Sequence, residues 1–149
     1  MTTIYQVHER VIHTHEPIID QVMLDSDTRE KSRFKTISRA GVEVRVFLAR
    51  GKPLIIGEYL KSDCGKLIEV IGTEEAVVEA TCDNWLVFSR ACYHLGNRHV
   101  KLEVGDSWLR IKPDHVLEEM LIGLGLSICH NNQVFIPEPG AYAGNHNHH

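Results

Sequence analysis

Hydrophobic and polar positions alternate most regularly over residues 42–48, where Val44, Val46 and Leu48 fall on one side and Glu43 and Arg45 on the other. A period of two is that of a strand with one buried face. Comparable runs at residues 4–12, 55–60 and 66–71 are divided by Gly51-Lys52-Pro53, by Gly57 and by Ser62-Asp63-Cys64-Gly65. The first part of the chain is therefore expected to form a small open β-structure or barrel. Residues 25–39 mix charges of both signs and read as loop and exposed strand, a solvated surface rather than a binding patch.

The pattern changes near Gly72-Thr73-Glu74-Glu75, which sets an expected boundary between a β-rich domain, residues 1–73, and a second domain, residues 74–137. In the second, residues 76–81 read as a strand, and Asp83 as the N-cap of a helix starting at Asn84 or Trp85. Trp85, Phe88, Cys92 and Leu95 recur at helical spacing, a stripe expected to bury against a sheet, with Gly96 or Asn97 as the left-handed stop. Runs at residues 99–104 and 108–111, joined by Gly105-Asp106-Ser107, predict a hairpin. Pro113-Asp114 opens a second helix with Glu118 and Glu119 early in it and Leu117, Met120, Leu121 and Leu124 at core spacing, ending near Gly123 or Gly125. A last strand falls within residues 126–136, with Asn131-Asn132 at a turn. The order β-α-β-β-α-β is ferredoxin-like, and the fold class is α+β. Residues 138–149 have little to bury and read as a flexible tail containing histidines.

Composition narrows the function. The 149 residues carry 16 Lys and Arg against 20 Asp and Glu, a formal net charge of -4, which argues against nucleic acid as a partner. No apolar run is long enough to span a membrane, and the first residues lack the order of a signal peptide, so a cytoplasmic protein is expected. Cys64, Cys82, Cys92 and Cys129 include no Cys-x-x-Cys pair and read as small buried hydrophobes in a reducing compartment. Ten histidines are many for this length and direct attention to metal binding and pH sensitivity.

The motifs of activated serines, of phosphate-binding loops and of His-Glu-x-x-His metalloenzymes are absent. A neutral imidazole is a common ligand for nickel, copper and zinc. Tyr93-His94-Leu95-Gly96-Asn97-Arg98-His99-Val100 brackets a helix stop with two of them. His94, in the last turn, reads first as a cation on the helix dipole. His99, placed just beyond the reversal at the start of a strand, is open between a ligand and a surface imidazole satisfied by a partner. His115, near the second helix's N-terminus, is open between a neutral ligand and a solvent-facing first-turn residue. His13 and His15 share a strand face at what is otherwise an ordinary loop edge. His146, His148 and His149 are interrupted by Asn147, unlike a purification tag, and read as a short metal-binding extension.

Cys92-Tyr93-His94-Leu95-Gly96-Asn97-Arg98-His99-Val100, Asp114-His115-Val116-Leu117-Glu118-Glu119-Met120 and Pro139-Gly140-Ala141-Tyr142-Ala143 together resemble the UreE family of urease accessory proteins, which are nickel metallochaperones. The likeness covers the C-terminal half and agrees in layout with the less distinctive N-terminal half. It implies a peptide-binding-like β domain, a ferredoxin-like metal-binding domain, a homodimer and no enzymatic activity. It also implies delivery of Ni(II) to apo-urease together with the accessory GTPase and other accessory proteins; the same imidazoles would accept Zn(II) or Cu(II) in vitro. Carried across, His99 matches the essential metal histidine at the dimer interface, His115 an auxiliary histidine, and His146, His148 and His149 a variable histidine-rich extension. Pro113 stands where some relatives carry a further histidine, and the tail is shorter than many, departures that bear on ion number and affinity. The competing class is a histidine-rich protein that buffers zinc or copper without a delivery partner, and an enzyme using a histidine-bound metal comes third.

Overall fold

The computed structural model describes residues 3–139, so the expected tail, with His146, His148 and His149, lies outside the described residues except for its start. The chain divides into two compact units, Met1–Thr73 and Glu74–His149.

The first unit is built from β1 (Ile4–Val11), β2 (Ile18–Leu24), α1 (Ser26–Arg29), β3 (Arg33–Ile37), β4 (Glu43–Phe47), β5 (Tyr59–Ser62) and β6 (Leu67–Gly72). Its strands form one sheet in the order β2-β6-β5-β1-β4-β3. Val7, Val22, Val44, Val46, Leu60, Ile68 and Val70 are fully buried in one cluster, each contributing about 1.5–3 kcal/mol. Packing them together curls the sheet until its ends touch. The Arg39 N–H, at the tip of the β3–β4 hairpin, donates to the Gln21 carbonyl of β2 at 2.8 Å, and the Ala40 N–H donates to the Asp20 carboxylate at 3.1 Å.

The expected strand at residues 55–60 begins only at Tyr59. Residues 55–58 instead turn around the buried Glu58 carboxylate, which accepts the Ile55 N–H at 2.7 Å. The stretch expected to be loop and exposed strand opens with α1, whose N-cap Asp25 accepts the Thr28 N–H at 2.8 Å.

The second unit runs β7 (Glu74–Thr81), α2 (Trp85–Asn97), β8 (Glu103–Val104), β9 (Trp108–Ile111), α3 (His115–Leu124) and β10 (Ser127–Val134). The sheet order is β10-β7-β9-β8, with every neighbouring pair antiparallel, so the α+β class and the ferredoxin-like β-α-β-β-α-β order read from the sequence are those observed. Val78, Ala80, Leu109 and Ile111 from the sheet meet Phe88, Ala91 and Leu95 of α2 and Leu117 and Leu121 of α3 in one core.

Several local expectations change. Trp85 is 76% exposed, because it lies about a quarter-turn round the helix from the arc formed by Phe88, Ala91 and Leu95. Asn84, not Asp83, caps α2, accepting the Val87 N–H at 3.0 Å. Asn131 and Asn132 are not at a turn: they pair with Val77 and Ala76 inside β10, where an edge strand lets both side chains face solvent. The cysteines are all free, with Cys64 and Cys129 exposed and Cys82 and Cys92 half-buried, rather than buried hydrophobes. Among the described residues no helix is long and apolar enough to cross a membrane.

Candidate metal site

Helix α2 ends in a way its glycine does not foretell. Gly96 remains helical, Arg98 is the C-cap, and His99 adopts a positive φ of 59°. The His99 N–H donates to the Gly96 carbonyl at 3.0 Å and the Val100 N–H to the Leu95 carbonyl at 3.1 Å. These are the two reversed bonds of a Schellman motif, with His99 in the left-handed position that glycine most often fills. Leu95 is fully buried and Val100 packs against the same core, which supplies the apolar contact that accompanies the motif. Histidine visits this conformation more readily than most residues, yet the conformation still costs about 1–2 kcal/mol. Strain of this kind collects at functional sites.

Two expectations are corrected by this turn: the left-handed stop is His99 rather than Gly96 or Asn97, and the following strand starts at Glu103, not at His99. The apolar pair Leu95 and Val100, five residues apart, was the signal that could have placed the left-handed residue at 99.

The His99 side chain is exposed and makes no hydrogen bond or ion pair among the described residues. It stands beyond the carbonyl end of α2, where the helix dipole favours positive charge. His94 is exposed in the last turn of the helix, edge-on to Tyr93 with ring centroids 5.5 Å apart. Leu102 lies three residues past His99, and its carbonyl accepts the Glu138 N–H at 2.7 Å. The chain therefore leaves β10 and passes beside the His99 loop.

His115 is the first residue of α3, exposed, with Nε2 3.3 Å from the Glu119 carboxylate. Asp114 caps the helix by accepting the Leu117 N–H at 3.1 Å, and the Asp114 N–H donates to Glu118 at 2.9 Å. The other Glu118 oxygen is 2.6 Å from Nε2 of His130 on β10, a pairing the sequence did not suggest. His13 and His15 are exposed in the loop after β1. Among the described residues no group of three or more His, Cys, Asp or Glu side chains converges to hold a metal ion, so His99 and His115 are not brought into one cage. Of the thiols, Cys64 is held below the ordinary range chiefly by the Ser62 hydroxyl at 3.1 Å, and burial pushes Cys92 up.

The chain thus combines a curled β unit and a ferredoxin-like unit, the second displaying the His99 imidazole on a surface turn. Residues 3–71 match the model of the UreE urease accessory protein N-terminal domain, and residues 75–149 match that of the C-terminal domain. The chain belongs to the UreE family of urease accessory proteins. It is 53% identical to the urease accessory protein UreE of Marinomonas sp. (strain MWYL1) over 144 residues, 96% of this chain and 98% of that one. It is 52% identical to the UreE of Psychromonas ingrahamii over 92% of this chain and 90% of that one. For the UreE of Alteromonas mediterranea the figures are 51%, 95% and 92%. The family is one of accessory metallochaperones with a role in urease maturation, not of enzymes.

Proposed function

We propose that the protein carries Ni(II) to apo-urease, receiving and releasing the ion in the cytoplasm together with the accessory GTPase and other urease accessory proteins. The nickel is cargo, bound by His99 from each subunit of a homodimer, with His146, His148 and His149 as ancillary ligands and His115 as an auxiliary one. The observation that carries this reading is His99 itself, an imidazole without a partner among the described residues, carried on a strained turn at the surface. One imidazole cannot chelate, and a two-fold axis would supply the second. The outer surface of α2 supports that association: Trp85, Leu86 and Tyr93 are 76%, 51% and 68% exposed on the helix that ends beside His99.

A site shared between subunits and completed by a tail suits a carrier. Copper outcompetes nickel at most nitrogen sites, so selectivity has to come from geometry and release rather than raw affinity. Ligands that can leave one at a time lower the barrier to hand-over.

Isothermal titration with nickel near neutral pH tests the assignment on three proteins. His99→Ala should weaken binding by on the order of 100-fold, at the upper end of what loss of even an outer ligand partner causes. His94→Ala should bind like the parent. Affinity should fall as the solution is acidified, because protons compete with the metal for the ligands. Light scattering should give a dimer, and Tyr93→Asp should weaken it. Parent-like binding by His99→Ala, or a monomer with and without nickel at micromolar concentration, would overturn the shared-site reading.

A further inference from the structure

Residues 31–52 hold seven Lys or Arg and one acid, Glu43, in a chain whose net charge is -4. The fold gathers most of these cations around a cleft of about 780 Å³ in the first unit, lined by Lys31 just before β3, Arg33 at its start, Arg50 and Lys52 from the loop after β4, and Leu48 and Leu54, with Glu30 as the one acid in its wall. In the mixed 25–39 stretch the acids Asp25, Asp27 and Glu30 lie on α1 or at its caps, while Arg33 and Lys35 lie on β3. Lys31, Arg33, Arg50 and Lys52 are exposed and make no ion pair among the described residues. Arg45, Arg110 and Lys112, by contrast, each face a carboxylate.

The cleft is built rather than incidental. Arg10 donates to the Lys52 carbonyl at 2.7 Å and the Pro53 carbonyl at 2.9 Å while its guanidinium pairs with the buried Glu58. The Leu54 N–H donates to the Arg29 carbonyl at 2.7 Å. Together these fix the loop that carries Arg50 and Lys52. Beside it, exposed Lys35 stands opposite Arg45 in the β3–β4 register, and since Arg45 is paired with Glu43, Lys35 adds a further cation without an ion pair among the described residues. β3 is an edge strand, with β4 as its one neighbour in the sheet.

We propose that this cleft docks an extended acidic segment of a partner protein, its carboxylates meeting Lys31, Arg33, Arg50 and Lys52, its apolar side chains on Leu48 and Leu54, and its backbone alongside β3. A polypeptide fits better than nucleic acid because none of the lining residues is aromatic and a base would find no stacking surface. The cleft is also far larger than a free phosphate needs.

The test uses fluorescence anisotropy on the full chain with a labelled peptide of about twelve residues alternating Glu and Val, the same peptide with Gln for Glu, and a thymidine oligonucleotide of equal length. The acidic peptide should bind, weaken with salt, and lose about tenfold in affinity on replacing Glu by Gln. Arg33→Glu combined with Lys52→Glu should abolish binding, Arg50→Gln should weaken it, and Lys66→Glu, on the β5–β6 turn, should leave it unchanged. Thermal melts should match the parent throughout. Absence of binding, equal binding of the Gln peptide, retention by the double variant, or tighter binding of the oligonucleotide would each overturn the proposal.

Discussion

His99 donates its backbone N–H to the Gly96 carbonyl at 3.0 Å while holding a φ of 59°, so the residue proposed to meet the metal is also the one that closes helix α2. The two roles make opposite demands. The turn prefers glycine and the metal requires imidazole. His99→Gly should relieve about 1–2 kcal/mol of left-handed strain and give back about 0.5–1 kcal/mol through the freer unfolded chain. The expected net is a small stabilisation, raising the melting temperature by about 2 °C, with nickel affinity lost as in His99→Ala. Melting and titration of the same preparation separate the roles. A His99→Gly protein that melts well below the parent would mean that the imidazole is a packing element and the strain argument is wrong.

The long-period features were legible in the sequence because each is set by many residues. The alternation of Val44, Val46 and Leu48, a helix opening at Pro113-Asp114 and its end at Gly125, one of the two glycines the pattern offered, all stand where the sequence put them. Features that failed rest on single competitions. Asn84 and Asp83 are both good caps, and only the chain path selects Asn84. Asn131-Asn132 has turn chemistry, but pairing with β7 outweighs it. At the candidate site His99 was legible as a residue and not as a conformation, because local rules favour Gly96 as a stop while burial of both Leu95 and Val100 moves the reversal three residues on. The basic cleft was invisible for another reason: residues 31–33 and 50–54 are brought together by the sheet, and within residues 25–39 alone three acids are interspersed among five cations.

The thiols should differ in reactivity. The Ser62 hydroxyl can donate to a Cys64 thiolate, so Cys64 ionises below the ordinary thiol range, whereas burial keeps Cys92 protonated to higher pH. Only thiolate attacks iodoacetamide, so Cys64 should label first and Cys92 last near neutral pH, followed by mass spectrometry of peptides. The labelling rate of Cys64 should rise through its midpoint at lower pH than an ordinary thiol, and Ser62→Ala should move that midpoint up. A midpoint unmoved by Ser62→Ala would show that exposure alone sets the rate.

The tail's contribution follows from where the chain passes. The Glu138 N–H is bonded to the Leu102 carbonyl, which holds the start of the tail three residues from His99. From residue 138 to His146 an extended chain can reach about 27 Å, long enough for an imidazole to be offered to a metal at His99 of the same chain. Residues 145–149 are Asn and His alone, with no apolar side chain to add to a core. Ending the chain after Gly144 should therefore leave the melting temperature and the dimer unchanged and lower nickel stoichiometry or affinity. The loss should be smaller than in His99→Ala if, as proposed, the tail ligands add to an ion already oriented by a His99 imidazole from each subunit. An unchanged titration would remove His146, His148 and His149 from the ligand set, and a loss as large as that of His99→Ala would make the tail, and not the turn, the principal site.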